Sequence, residues 1–382
     1  MTRNCPKLVP AGREVMATIE VRCNVKLPKA IVLATRQDAF YGAICWTLSN
    51  GDTVAVEMDI PQDEIRRSYQ QHSSRGDWWV NSRVEDLRIS IRLENVSADD
   101  LDRLYARHTS ERTWVAHFET SAGVGLDQSY QEAPELGRRV VAEIRETVNL
   151  ILRFVRDNYG QHWLRLLSQD EKSLQNFLDD VRAEWREATN PWRRLLIAVL
   201  VTSIGSVYLG VMRLYLEVGD WHTIQQAVAR KEEPSSVFAL LSDSRERYYQ
   251  GEPRIAIIYL NSALEWAVQR FLRDQLSSKI PSEALEKVLS QTHARLLADW
   301  VLPLDRTIGL GLEHKEWPSI KKIQKLRGEA GHPAKSNEIS TLTILNFEKL
   351  VRDASAAIAK LSGLVAPKIP PPMVGILAGG TV

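Results

Sequence analysis

Cysteine is scarce in this chain: 382 residues contain three, Cys5, Cys23 and Cys45. They form no CxxC pair and stand at no metal-ligand spacing, which argues against a zinc site, and no metal is expected. So few thiols fit a reducing compartment, and a cytoplasmic location is the expectation. An excess of either charge is also missing. Lys and Arg number 49 against 48 Asp and Glu, a net charge of +1. With no global positive field, any nucleic-acid contact has to come from a local basic patch. The stretch from Met1 to Arg13 carries Lys and Arg but no apolar run of the signal-peptide kind. No GxxxxGK[ST] sequence is present, which excludes a P-loop. Gly123-Val124-Gly125 and Gly309-Leu310-Gly311 lack the remaining glycine and the strand-to-helix setting of a dinucleotide loop, so no cofactor is expected. No internal repeat is visible.

Long apolar runs are limited to one. Leu195 to Met212 spans 18 residues without a charge, the lower edge for a membrane helix. It reads better as a buried β-hairpin. Leu195–Val201 is rich in β-branched residues, Ile204-Gly205-Ser206 is a turn signal, and Val207–Leu216 can return as the second strand. No membrane association is expected.

What is present divides at the polar break Lys231-Glu232-Glu233-Pro234-Ser235-Ser236. Before it, residues 12–228 read as an α+β domain with a mixed or antiparallel sheet and helices. Val15, Ala17, Ile19, Val21 and Cys23 alternate, as do Leu87, Ile89, Ile91 and Leu93, at the period of half-buried strands. Asn50-Gly51 between 42–48 and 54–60 marks a hairpin. Ser97, followed by Asp99 and Asp100, looks like the start of a short helix, and Thr113–Glu119 reads as a strand. Leu136, Val140, Ile144, Val148, Ile151 and Val155 then mark a long amphipathic helix stopping near Gly160. Leu174, Phe177, Leu178, Val181 and Trp185 suggest another.

After the break, residues 236–362 read as an all-α bundle. Its helices are expected at 236–250, 254–276 (stripe Ile257, Leu260, Leu264, Val268, Phe271), 282–300, 320–330 and 339–361. Residues 366–382, rich in Pro and Gly, read as a disordered tail.

The stretch with the most chemistry is Lys325-Leu326-Arg327-Gly328-Glu329-Ala330-Gly331-His332-Pro333. Arg327 offers a planar fork of donors for a phosphodiester, and His332 an imidazole that can take or give a proton. Five positions apart, the two would diverge by roughly 140° on a continuous helix. A left-handed C-cap at Gly331, with Pro333 barring continuation, would swing His332 back beside Arg327. Lys321, Lys322 and Lys325 flank the pair and could track an RNA backbone. The same residues also suit a simple helix terminus, where Lys, Arg and His complement the dipole.

Tyr249-Gln250-Gly251-Glu252-Pro253-Arg254-Ile255-Ala256, the Asn261-Ser262-Ala263-Leu264-Glu265 segment of the following helix, and the Arg-x4-His spacing of Arg327 and His332 together resemble HEPN domains. These are small helical domains of prokaryotic toxin and antiviral defence proteins, and the likeness covers about residues 236–362. It implies a homodimer in which Arg327 and His332 cut RNA without metal, His332 taking the proton from a ribose 2′-OH and Arg327 holding the phosphate. It gives Lys321, Lys322 and Lys325 to substrate binding, and Glu265, Gly328 and Gly331 to structure or dimer contact. Gly328 departs from the polar residue usual after the arginine. A catalytically inactive HEPN-like dimerisation module that binds RNA, nucleotide or protein therefore remains the alternative. The first domain would sense a trigger or hold a protein partner. Tyr259 and Asn261 could line the site or only pack. His108, His117, Glu313-His314 and Trp78-Trp79 are weaker candidates.

Overall fold

A computed structural model describes residues 17–35, 41–48, 51–58, 60, 80–102, 104–105, 135–167, 183–195, 216–332 and 337–369. The chain is an antiparallel-sheet domain followed by a helical region. Strands β1 (Ala17–Thr35), β2 (Ile44–Thr47), β3 (Thr53–Met58), β4 (Val80–Val96), β5 (Ala183–Glu187) and β6 (Arg193–Leu195) form one sheet in the order β2-β3-β4-β1-β5-β6. Alternation decides its two faces. Val21, Cys23 and Val25 oppose Ile91, Ile89 and Leu87 across the β1–β4 ladder and are buried, whereas Arg22, Asn24, Arg88 and Arg92 are exposed. The outer face is an ion lattice. Arg22 donates to Glu184 at 2.6 Å and Arg186 to Glu20 at 2.7 Å, and both guanidinium groups lie over the Trp192 ring.

Helix α1 (Glu135–Asn158) shares the inner core through Val140, Ile144, Val148, Ile151 and Val155, and α2 (Val218–Ala229) adds Trp221, Ile224 and Val228. The expected hairpin turn at Gly51 is present with φ +90°. The helix expected to include Trp185 is corrected in its last part. Trp185 belongs to β5 and pairs with Val21; the periodicity of Leu174 to Val181 falls on residues outside those described. Thr113–Glu119 and most of the apolar run after Leu195 also lie outside them. Among the described residues no helix is long and apolar enough to cross a membrane.

The helical region comprises α3 (Ser236–Tyr249), α4 (Pro253–Leu276), α5 (Ser282–Leu289), α6 (His293 to Ile308, π-helical over Leu296–Val301), α7 (Leu312–Lys315), α8 (Trp317–Ala330), α9 (Asn337–Ser340) and α10 (Ile344–Ser362). Its core is separate from that of the sheet, the division falling between Val228 and Val237. The stripe expected on α4 is buried throughout. The single helix expected over 282–300 is interrupted at Ser290–Thr292, and the last long helix begins at Ile344, after Thr343 accepts from the Asn346 N–H. Gly309 and Gly311 are left-handed turn residues between α6 and α7.

Two polar seams join the domains. In the first, buried Arg245 of α3 donates to Glu348 of α10 at 3.1 Å and to the Gly160 carbonyl at 2.8 Å, while the Tyr249 hydroxyl donates to the same Glu348 oxygen. The Tyr249 ring stacks on His162, 4.9 Å between centroids, and burial holds that imidazole well below its ordinary pKa. In the second, Arg156 of α1 pairs with Asp243 and Glu246 of α3. Residues 366–369, the start of the expected disordered tail, are tied down. The Lys368 N–H donates to the Asn158 carbonyl and its ammonium pairs with Asp220.

Candidate nucleic-acid interface

Helix α8 is built to bury one side and expose the other. Trp317, Ile320, Ile323 and Leu326 recur at three-residue steps and are buried in the bundle. The opposite side carries the basic residues. Lys321, Lys325, Gly328 and His332 are exposed, and their offsets of four, seven and eleven residues place them within roughly 60° of one another along the helix.

The backbone after Ala330 differs from the expected reversal. Gly331 has φ −75° and ψ −12°, right-handed rather than left-handed, and the His332 N–H donates to the Glu329 carbonyl at 3.0 Å. The helical path thus continues to His332. Glycine permits the left-handed conformation but does not impose it, and a Cβ at Gly331 would meet only ordinary contacts at 3.9 Å. Arg327 and His332 consequently lie on different sides of the helix, roughly 140° apart. Both are exposed, and neither side chain has a hydrogen bond or ion pair with a described residue. Gly328 faces open space.

The flanking lysines are not equivalent. Lys321 has its ammonium 5.9 Å from the centre of the Trp317 ring. Lys322 and Lys325 both pair with Glu338 of α9. Hydrogen bonds from these lysines hold the Glu338 carboxyl down at about 2, and the same contact raises the Lys325 ammonium above its usual range. Ile339, beside Glu338, is buried in the bundle and fixes α9 in place.

Glu265 sits elsewhere, on α4. It accepts from the buried Asn261 amide at 2.8 Å and stands 3.8 Å from His293 Nδ1. Neither ring nitrogen of His293 has a hydrogen-bond partner, and burial lowers its pKa to about 4, opposed by Glu265. Tyr259 is half-buried, and Glu313-His314 forms part of α7. His108, His117 and Trp78-Trp79 lie outside the described residues. Among the described residues no group of three or more metal-ligating side chains exists. Glu338 and His293 escape sequence reasoning because each meets its partners from a different helix, with no periodic spacing to announce it.

No family model matches the chain, and it has no match among curated proteins or solved structures.

Proposed function

We propose that the helical region is a HEPN-like homodimerising module that binds RNA without cutting it. The observation that carries this reading is the exposed line of Lys321, Lys325 and Gly328 on α8 with His332 just past its end. Eleven residues of helix extend roughly 16 Å, enough to meet more than one phosphate of a single strand. The lysines supply charge, His332 supplies a ring nitrogen, and Gly328 leaves an open gap between them. The divergence of Arg327 from His332 speaks against a complete cleaving centre within one copy. In this reading the protein is cytoplasmic, and the sheet domain holds a protein partner or senses a trigger.

A second reading has one supporting observation: Arg327 and His332 are both exposed without partners among the described residues. If two copies brought one guanidinium and one imidazole to the same phosphate, the pair would make a metal-independent endoribonuclease of the toxin or defence type. The imidazole would accept the 2′-OH proton, and the guanidinium would stabilise charge on the phosphate as the 2′ oxygen attacks and the 5′ oxygen leaves.

One experiment separates the readings. Purified protein is incubated with single-stranded RNA in EDTA, alongside R327A, H332A and an equimolar mixture of the two variants. The binding reading expects a complex without cleavage, with a salt slope that falls by about 0.7 for each of Lys321→Ala and Lys325→Ala. Cleavage to 2′,3′-cyclic ends, lost in each variant and partly restored in the mixture, would replace it with the nuclease. Absence of any complex would overturn both.

A further inference from the structure

The two lysines that α8 directs toward α9 already hold an anion, the chain's own. Glu338 bridges Lys322 and Lys325 with one carboxylate oxygen to each. We propose that Glu338 is an internal competitor for phosphate that restricts this surface to polyanionic strands; the proposal rests on the RNA-binding reading above.

Three observations support it. First, the carboxylate is held rather than incidental. Ile339 is buried at 2% exposure, and the Leu342 carbonyl accepts from the Tyr248 hydroxyl, so the chain that follows Glu338 is anchored to the bundle. Second, the contact is open to exchange. Glu338 is 35% exposed and its partners Lys322 and Lys325 are 43% and 60% exposed. Ion pairs so placed contribute little and are screened by salt, so an incoming anion can displace them. Third, the neighbouring Lys321 makes no hydrogen bond or close ion pair with a carboxylate among the described residues, only a longer-range attraction to Glu313, and with His332, exposed just past the helix end, it leaves further positions for an anion.

The consequence is selectivity by length. An isolated phosphate gains two lysines only by breaking both of their contacts with Glu338. A strand first held at Lys321 and His332 presents its next phosphates at high effective concentration, so the same exchange becomes favourable. With Glu338 ionised down to about 2, acidification within the usual range does not release the lysines; a competing anion does.

The test compares wild type, E338Q and E338Q/K322A/K325A by fluorescence anisotropy. The probes are a labelled single-stranded RNA oligonucleotide and, as a competitor, inorganic phosphate. Loss of an exposed carboxylate leaves the fold intact, which circular dichroism checks. E338Q is expected to bind RNA roughly three- to tenfold tighter, the range that one or two exposed ion pairs allow. Its salt slope should match that of wild type, because Lys322 and Lys325 reach phosphate in both complexes, whereas the triple variant should lose about 1.4, at about 0.7 for each contact. Phosphate should compete better against E338Q than against wild type, and the triple variant should lose the gain. If wild type binds RNA and E338Q binds no tighter, Glu338 is no competitor and the RNA-binding reading survives alone. If no form binds RNA, both fall together.

Discussion

Glu348 and Glu338 each serve neighbouring cations or donors, and the two clusters differ in their access to water. Glu348 accepts from Arg245 and Tyr249 with side-chain exposures of 6% and 2% for the ion pair, and the Gly160 carbonyl takes another donor of Arg245. Glu338 accepts from two lysines at the surface. The first is a fixed part of the domain seam, because separating its charges leaves one of them stranded in a medium that solvates it poorly. The second can be exchanged at little cost, because water and salt already weaken it. Burial, rather than the chemistry of the pair, decides which is architecture and which is available to a ligand.

The largest test of this contrast removes one buried partner. Arg245→Ala is expected to destabilise the protein by about 3–5 kcal/mol, since Glu348 is then left charged and buried. Chemical denaturation measures this, and E338Q under the same conditions should lie within about 0.5 kcal/mol of wild type, as surface substitutions do. Equal losses for the two variants would erase the distinction.

Acid titration sharpens the same point with two other buried groups. Burial lowers the His293 pKa from its ordinary 6.5 to about 4. The unfolded chain therefore binds more protons between these values, and stability falls as pH drops from 6.5 through 4. Burial raises the Asp157 carboxyl from 3.8 to about 6, against the pull of Arg156. There the folded state binds more protons, so its contribution is fully present below 3.8 and is lost as pH rises through 6. The two oppose each other across the same window. Unfolding midpoints at pH 4.5 and 7 should show that His293→Gln reduces the acid loss and Asp157→Asn enlarges it. No change in either slope would mean that neither group titrates differently on folding.

The smallest effect concerns Gly328. It lies inside α8 facing open space, so Gly328→Ala should stabilise by roughly 0.5–1 kcal/mol through helix propensity. Thermal unfolding reads this directly, and destabilisation instead would show that the position needs the missing side chain.

The fold was legible where one local rule decided it. The α4 stripe from Ile257 to Phe271 and the alternation from Leu87 to Leu93 are periodic, and burial follows them. Trp185 was misread because it followed apolar residues at helical spacing, whereas pairing with Val21 placed it in a strand. The candidate site was less legible. Gly331 and Pro333 allow a reversal, but the right-handed conformation at Gly331 costs nothing special, and the chain adopts it. Continuing the helix aligned His332 with Lys321, Lys325 and Gly328 instead of Arg327, an arrangement already implicit in offsets of four, seven and eleven. The clasp at Glu338 was hidden, since it lies sixteen residues from Lys322, on another helix.

One short contact has mechanical weight. Between Ala229 and Ser236 the chain passes from the sheet to the bundle, and a single such link would be a pivot. Lys368, just beyond the last helix, is fastened to Asn158 and Asp220 on the sheet side. The polypeptide thus crosses the seam twice, and a body pinned at two points transmits torque where a swivel would dissipate it. Anything that grips the sheet can in this way be felt by the helices, and cutting the chain just before Lys368 would leave that load to the connecting segment and the two polar seams.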